Sequence, residues 1–156
     1  MRLIRDRPST VDLDEFLSRP LFAHLATASE NGPRDSPVWF LWEDGAVWII
    51  GSRRADSFPD RIERDARCAL GVVDFRRDEG IVHHVGMRGR GSVEPFDPDR
   101  TRRLLERYLG ADEDAWDARF RATVRDPDTE SAVLIRFDPD TVVARDVSYK
   151  VDDRLR

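Results

Sequence analysis

The sequence predicts an α+β domain in which six antiparallel strands build a barrel and helices pack at its periphery. Three observations carry this. Six apolar segments of strand length are separated by turn residues. The helical segments are grouped rather than alternating with every strand, as a parallel sheet would require. The 156 residues amount to one domain, without internal repeat or low-complexity linker.

The elements follow in order. Ser9 to Arg19 reads as a short helix: Ser9 with Asp12 matches a capping box, Leu13, Phe16 and Leu17 share one face, and Pro20 ends it. Leu21 to Ala28 is mostly apolar, as in a strand covered on both faces. Glu30-Asn31-Gly32-Pro33 is a turn. Arg34 to Trp42 is the second strand, with Val38, Phe40 and Trp42 on one face and Trp39 and Leu41 on the other. Glu43-Asp44-Gly45 closes a hairpin to Ala46–Gly51. Ser57 to Asp65 is a short helix with Pro59 in its first turn. Arg67 to Phe75 and Ile81 to Glu94 are the fourth and fifth strands, the latter bent near Gly86, Gly89 and Gly91.

Pro98 to Leu109 is a helix capped by Asp97 and stopped by Gly110, with Leu104, Leu105, Tyr108 and Leu109 as its buried stripe. Asp112 opens another helix carrying Trp116 and Phe120. Ser131 to Val147 is a strand pair or one bent strand, broken at Asp138-Pro139-Asp140.

Composition excludes several classes. Charged residues make up 37%, and 31 acidic against 26 basic residues give −5, which argues against a general nucleic-acid binder. Cys68 is the single cysteine, so an intrachain disulfide is excluded. No apolar run approaches the ~18–20 residues of a membrane span. Met1 to Asp6 lacks the apolar stretch of a signal peptide, so a cytoplasmic protein is expected. Lys150 is the only lysine among the 26 basic residues, which leaves Schiff-base chemistry one candidate and makes any isolated arginine less informative.

The chemistry available is narrow. Of His24, His83 and His84, the adjacent pair lies on a strand and points to opposite faces, so no metal site is expected. There is no G-x-S-x-G elbow, and Cys68 in Arg67-Cys68-Ala69-Leu70 reads as a buried, inert thiol. The carboxylates lie in turns and on solvated helix faces, which suggests no acid–base pair. Two features remain. Ser52-Arg53-Arg54-Ala55-Asp56-Ser57 leaves a strand and enters a helix, with hydroxyls, guanidiniums and free N–H groups suited to a phosphate; the plainer reading is an ordinary exposed loop in an arginine-rich chain. Ser36 to Trp42, paired with Trp48, is either a surface for a flat ring system or barrel core.

These features occur in a succession. A helix is followed by Leu21-Phe22-Ala23-His24-Leu25-Ala26-Thr27, then Ser36-Pro37-Val38-Trp39-Phe40, then a strand ending at Gly51-Ser52-Arg53, then Arg61-Ile62-Glu63-Arg64-Asp65-Ala66-Arg67. The succession resembles the pyridoxamine 5′-phosphate oxidase-like superfamily, from about Val11 to Val93, with Val133 to Val147 resembling its last strands. The resemblance implies an FMN-binding split β-barrel and a homodimer with flavin sites at the subunit interface. It places Pro37, Val38 and Trp39 along the isoalloxazine ring. Gly51, Ser52, Arg53, Ser57 and Arg61 fall around the phosphate, and His84 where the other subunit supplies a polar group.

Two departures stand out. The resemblance leads one to expect S-R-K-A-x-x-L in the short helix, and Phe58 stands where its phosphate-binding lysine belongs. The W-R-L-x-P-like segment of true pyridoxamine phosphate oxidases is replaced by Val151-Asp152-Asp153-Arg154-Leu155-Arg156, which argues against vitamin B6 oxidation. The expectation is a flavin-dependent oxidoreductase of unknown substrate, with the flavin supplying the redox chemistry and no dedicated catalytic residue. The alternatives are a deazaflavin- or haem-binding relative, and a non-catalytic dimeric binding or sensing domain that has lost the flavin.

Overall fold

The computed structural model describes residues 1–6 and 11–150. Its strands are β1 (Arg2–Asp6), β2 (Ala23–Thr27), β3 (Arg34–Val38), β4 (Leu41–Glu43), β5 (Ala46–Ser52), β6 (Arg67–Arg76), β7 (Ile81–Pro95) and β8 (Ala132–Asp146). The helices are α1 (Leu13–Ser18), α2 (Phe58–Arg64), α3 (Pro98–Leu109) and α4 (Ala118–Arg125), with a 3₁₀ turn at Glu113–Ala115. The class is the expected α+β split barrel, with eight strands among the described residues instead of six.

Both extra strands have physical causes. The predicted second strand breaks at Trp39 and Phe40. There the Phe40 side chain is fully buried, and its N–H donates to the Tyr108 hydroxyl at 3.1 Å in place of a strand partner. The other addition, β1, pairs in parallel with Thr141–Arg145 of β8, beyond the stretch that β5 covers at Ala132–Phe137. It fills an edge that β8 would otherwise leave open.

The remaining sheet runs β3-β2-β6-β7-β8-β5-β4. Its two ends, β3 and β4, are joined by Trp39 and Phe40 alone. Three Cα steps of ~3.8 Å hold those ends within ~11 Å of each other, so the sheet must curl. Inside lie Phe16, Leu25, Phe40, Ile49, Leu70, Met87 and Phe137, all essentially inaccessible. Outside, α3 and α4 enclose a second cluster of Leu105, Trp116 and Val124.

Two expected details resolve differently. Asp12 is the N-cap of α1, accepting from Glu15 N–H at 2.9 Å, and Ser9 lies outside the described residues. The tail 151–156 lies outside them as well. Asp138-Pro139-Asp140 does not break the last strand. A register shift between Arg88 and Gly89 on β7 absorbs the proline, which pairs with Gly89. Gly89 is the residue this requires, because a Cβ there would stand 2.0 Å from the Asp138 carbonyl oxygen. Gly89→Ala should therefore lower stability by roughly 1–3 kcal/mol. An unchanged melting temperature would show that the bulge relaxes freely.

Candidate functional site

The turn from β5 into α2 is the centre of the site. Ser52 N–H donates to Asp56 Oδ2 at 2.8 Å, Asp56 N–H donates back to the Ser52 carbonyl at 2.8 Å, and the Ser52 and Ser131 hydroxyls meet at 2.7 Å. Arg53 grips Glu63 through two bonds of 2.6 and 3.0 Å and lies 3.7 Å from Asp60. Arg54 bridges Asp128 and Glu130. The two arginines most prominent in the sequence are thus bound to carboxylates.

Arg61 is held differently. Its Nε donates to Thr27 Oγ1 at 2.7 Å and its Nη1 to Ser57 Oγ at 2.6 Å. Both partners are hydroxyls, so the guanidinium is fixed without being neutralised. Burial, and then the nearby positive charge of Arg34, push its pKa below the ordinary arginine value. Ser57 and Arg61 line a cavity of about 610 Å³ together with Arg34, Arg64 and Arg67. Arg67 is paired with Asp65. Neither Arg34 nor Arg64 has a carboxylate partner among the described residues. Glu30, Asp60 and Asp65 line it too, with Asp65 taken by Arg67 and Asp60 lying 3.7 Å from Arg53, so four arginines face three carboxylates around a preorganised Arg61, which suits a phosphate or another compact anion.

Sequence reasoning missed Thr27, Arg34 and Arg64. The hairpin supplied one signal, since Thr27 and Arg34 stand directly opposite each other on β2 and β3. Phe58 and Gly51 face away from this cavity. Phe58 is 6% exposed and packs over Gly51, where a Cβ would come within 3.2 Å of its ring.

The aromatic strand divides. Trp39 stacks on Tyr108 at 4.6 Å and 2°, and on Phe120 at 5.4 Å and 27°. Trp42 donates to Asp14 Oδ1 at 2.7 Å, and Arg100 lies 3.8 Å from the Trp48 ring centroid. Val38 packs against the core and Pro37 is exposed, both on a strand whose only ladder partner among the described residues is β2. The structure thus brings Ser57 and Arg61 together, leaves Pro37 and Val38 on an open edge, and gives Trp39 aromatic partners within its own chain.

His83 and His84 do point apart. His83 faces Phe16 and lies 3.6 Å from Asp146. His84 lies over Gly86 on the outer face of the sheet, opposite Val73 and away from the Arg61 cavity. Burial, then Arg145, pushes the His84 pKa below its ordinary value. The unfolded chain therefore takes up that proton first as pH falls through ~6.5, and stability declines there. His84→Gln should flatten the pH dependence of the melting temperature just below pH ~6.5; an unchanged slope would contradict it. Among the described residues no His, Cys, Asp or Glu cluster could hold a metal, and burial raises the pKa of the Cys68 thiol. No described helix is long and apolar enough to cross a membrane.

Solved structures of similar fold include the conserved hypothetical protein Rv2991 of Mycobacterium tuberculosis. It is 17% identical, with a TM-score of 0.71 over 98% of this chain and 99% of that one. An F420 reductase is 22% identical, with a TM-score of 0.61 over 86% of this chain and 98% of its own. A FAD-binding protein of Mesorhizobium loti is 17% identical, with a TM-score of 0.63 over 90% and 95%. At these identities the likeness is one of fold. No curated protein sequence matches the chain. The family model described as pyridoxamine 5′-phosphate oxidase matches residues 10–144, and with that span covered the chain belongs to this family.

Proposed function

We propose that the protein binds a flavin-class cofactor, FMN foremost, with the phosphate in the Arg61 cavity, and that it serves as an oxidoreductase on a small organic substrate. The observation that carries this reading is a guanidinium fixed by Ser57 and Thr27, without a carboxylate in contact, beside Arg34. A bound flavin supplies the electron transfer, and the protein supplies position and electrostatics. Arg61 and Arg34 hold the anionic end. The edge of β3, unpaired among the described residues, offers backbone donors and acceptors to the rim of a heteroaromatic ring, with Pro37 contributing no N–H.

A homodimer belongs to the same reading. Val73 and Phe75 are 53% and 59% exposed on β6, and Val73 shares its outer face with the half-buried His84. An isologous contact over this apolar face, burying more than ~2,000 Å² in total, would cover them. Light scattering at micromolar concentration should give twice the chain mass; a monomer would contradict the interface.

A deazaflavin is the second reading. An F420 reductase shares the fold, and a cavity of about 610 Å³ has room for an anion larger than one phosphate. The visible absorption spectrum of freshly purified protein separates the cases. Flavin bands support the first reading, deazaflavin bands the second, and haem bands would overturn both.

A further inference from the structure

The outer face of the sheet carries a bare notch. Gly71 on β6 and Gly86 on β7 stand opposite each other. Their neighbours Leu70, Val72, Val85 and Met87 are all buried, so the two glycines face outward. Neither has a positive φ. Among the described residues, a Cβ on Gly71 would meet only His84 Nε2, at 4.0 Å, so the chain itself gives no reason for glycine there. Glycine inside a strand weakens it and marks a place where another backbone comes close.

The rest of this face is complementary to itself. Val73 and Phe75 on β6 and Val82 on β7 make it apolar beside the notch. Its charge is divided. Asp35, paired with His24 at 2.9 Å, lies on the β3 side, and Arg88 and Arg145 lie on the β7 and β8 side. A second copy related by a two-fold axis through the notch and along the strands sets the acidic side of each chain over the basic side of the other.

His84 sits where the two copies would meet. Its ring lies over the notch, with Cε1 3.2 Å from the place of a Gly86 Cβ. Arg145 stands opposite it on β8 and Val73 on β6. Beyond Gly71 come His24 and Asp35, and Arg88 lies further along β7. The ring thus has a cation and no carboxylate as its direct cross-strand neighbour, and covering it with a second chain favours neutral imidazole.

We propose, resting on the homodimer reading, that protonation of His84 controls assembly: neutral imidazoles let the two notches pack, and charged ones part them. In the single chain, burial and then Arg145 already lower the His84 pKa. The contact lowers it further, so the dimer binds fewer protons than two monomers, by up to about two, and acid drives dissociation.

The test is sedimentation velocity over a concentration series at about pH 7.5 and about pH 5.0, a range in which ordinary carboxylates stay largely ionised. Circular dichroism confirms folded protein at both. The wild-type dimer dissociation constant should rise at least tenfold at the lower pH. In His84→Gln it should change by no more than about twofold, whereas His24→Gln should keep the wild-type pH dependence. Gly71→Glu, for which the single chain has room, should be a folded monomer at both pH values. Equal dimer strength at both would overturn the switch and leave the homodimer standing; a wild-type monomer at both would overturn the homodimer itself. A pH dependence that survives His84→Gln would overturn the assignment to His84, and a dimeric Gly71→Glu would remove the contact from this face.

Discussion

Phe58→Lys is expected to lower stability by at least ~3 kcal/mol, the range for removing a buried aromatic ring. At ~2–4 °C per kcal/mol, the melting temperature falls by about 6–12 °C. The sequence shows Phe58 where the family's lysine would reach a phosphate, so restoring the lysine looks like repair. The structure makes Phe58 part of the core, 6% exposed and packed on Gly51. An ammonium there must be buried or must pull the start of α2 out of place. FMN affinity should therefore not improve. Tighter binding at unchanged melting temperature would show that the side chain can reach the anion after all, and that the ring is dispensable.

The second large effect is on binding. Arg61→Met should weaken FMN at least tenfold, because a charge-assisted contact is worth ~1.5–3 kcal/mol and 1.4 kcal/mol is tenfold. Methionine keeps the apolar stem and removes the donors to Thr27 and Ser57. Arg53→Met should leave affinity within about twofold. Arg53 is exposed and already paired with Glu63, so its loss removes a surface ion pair, a class worth little. Equilibrium dialysis of both variants decides between them. A large loss from Arg53→Met with none from Arg61→Met would place the phosphate on the β5 side of the turn instead.

The barrel was legible because its strands carry their own signals. Gly32, Gly45 and Gly80 mark the hairpin turns with positive φ, and β6 alternates as a half-covered strand does. Pro98 and Gly110 bracket α3 to the residue. The break at Trp39–Phe40 was not legible, since it depends on Tyr108, 68 residues away. Nor was the parallel strand β1, whose existence follows from the length by which β8 outruns β5.

The candidate site was legible in its members and not in their pairing. The turn after β5 and the residues Ser57 and Arg61 were found as a group. The sequence could not rank Arg53 against Arg61, because it does not show which arginine has a carboxylate in reach. Glu63 stands ten residues from Arg53, and only the packing of α2 against β5 sets them together. Trp39 was ambiguous for a related reason. Its ring is as suited to Tyr108 and Phe120 as to a cofactor, and those two come from helices far along the chain.

The most direct test titrates wild-type protein with FMN and with riboflavin, following flavin fluorescence. The two ligands differ only in the phosphate. A cofactor held by Arg61 and Arg34 predicts saturable FMN binding at least tenfold tighter than riboflavin binding, with the difference shrinking as salt rises. Equal affinity for both, or no binding of FMN, would contradict the account.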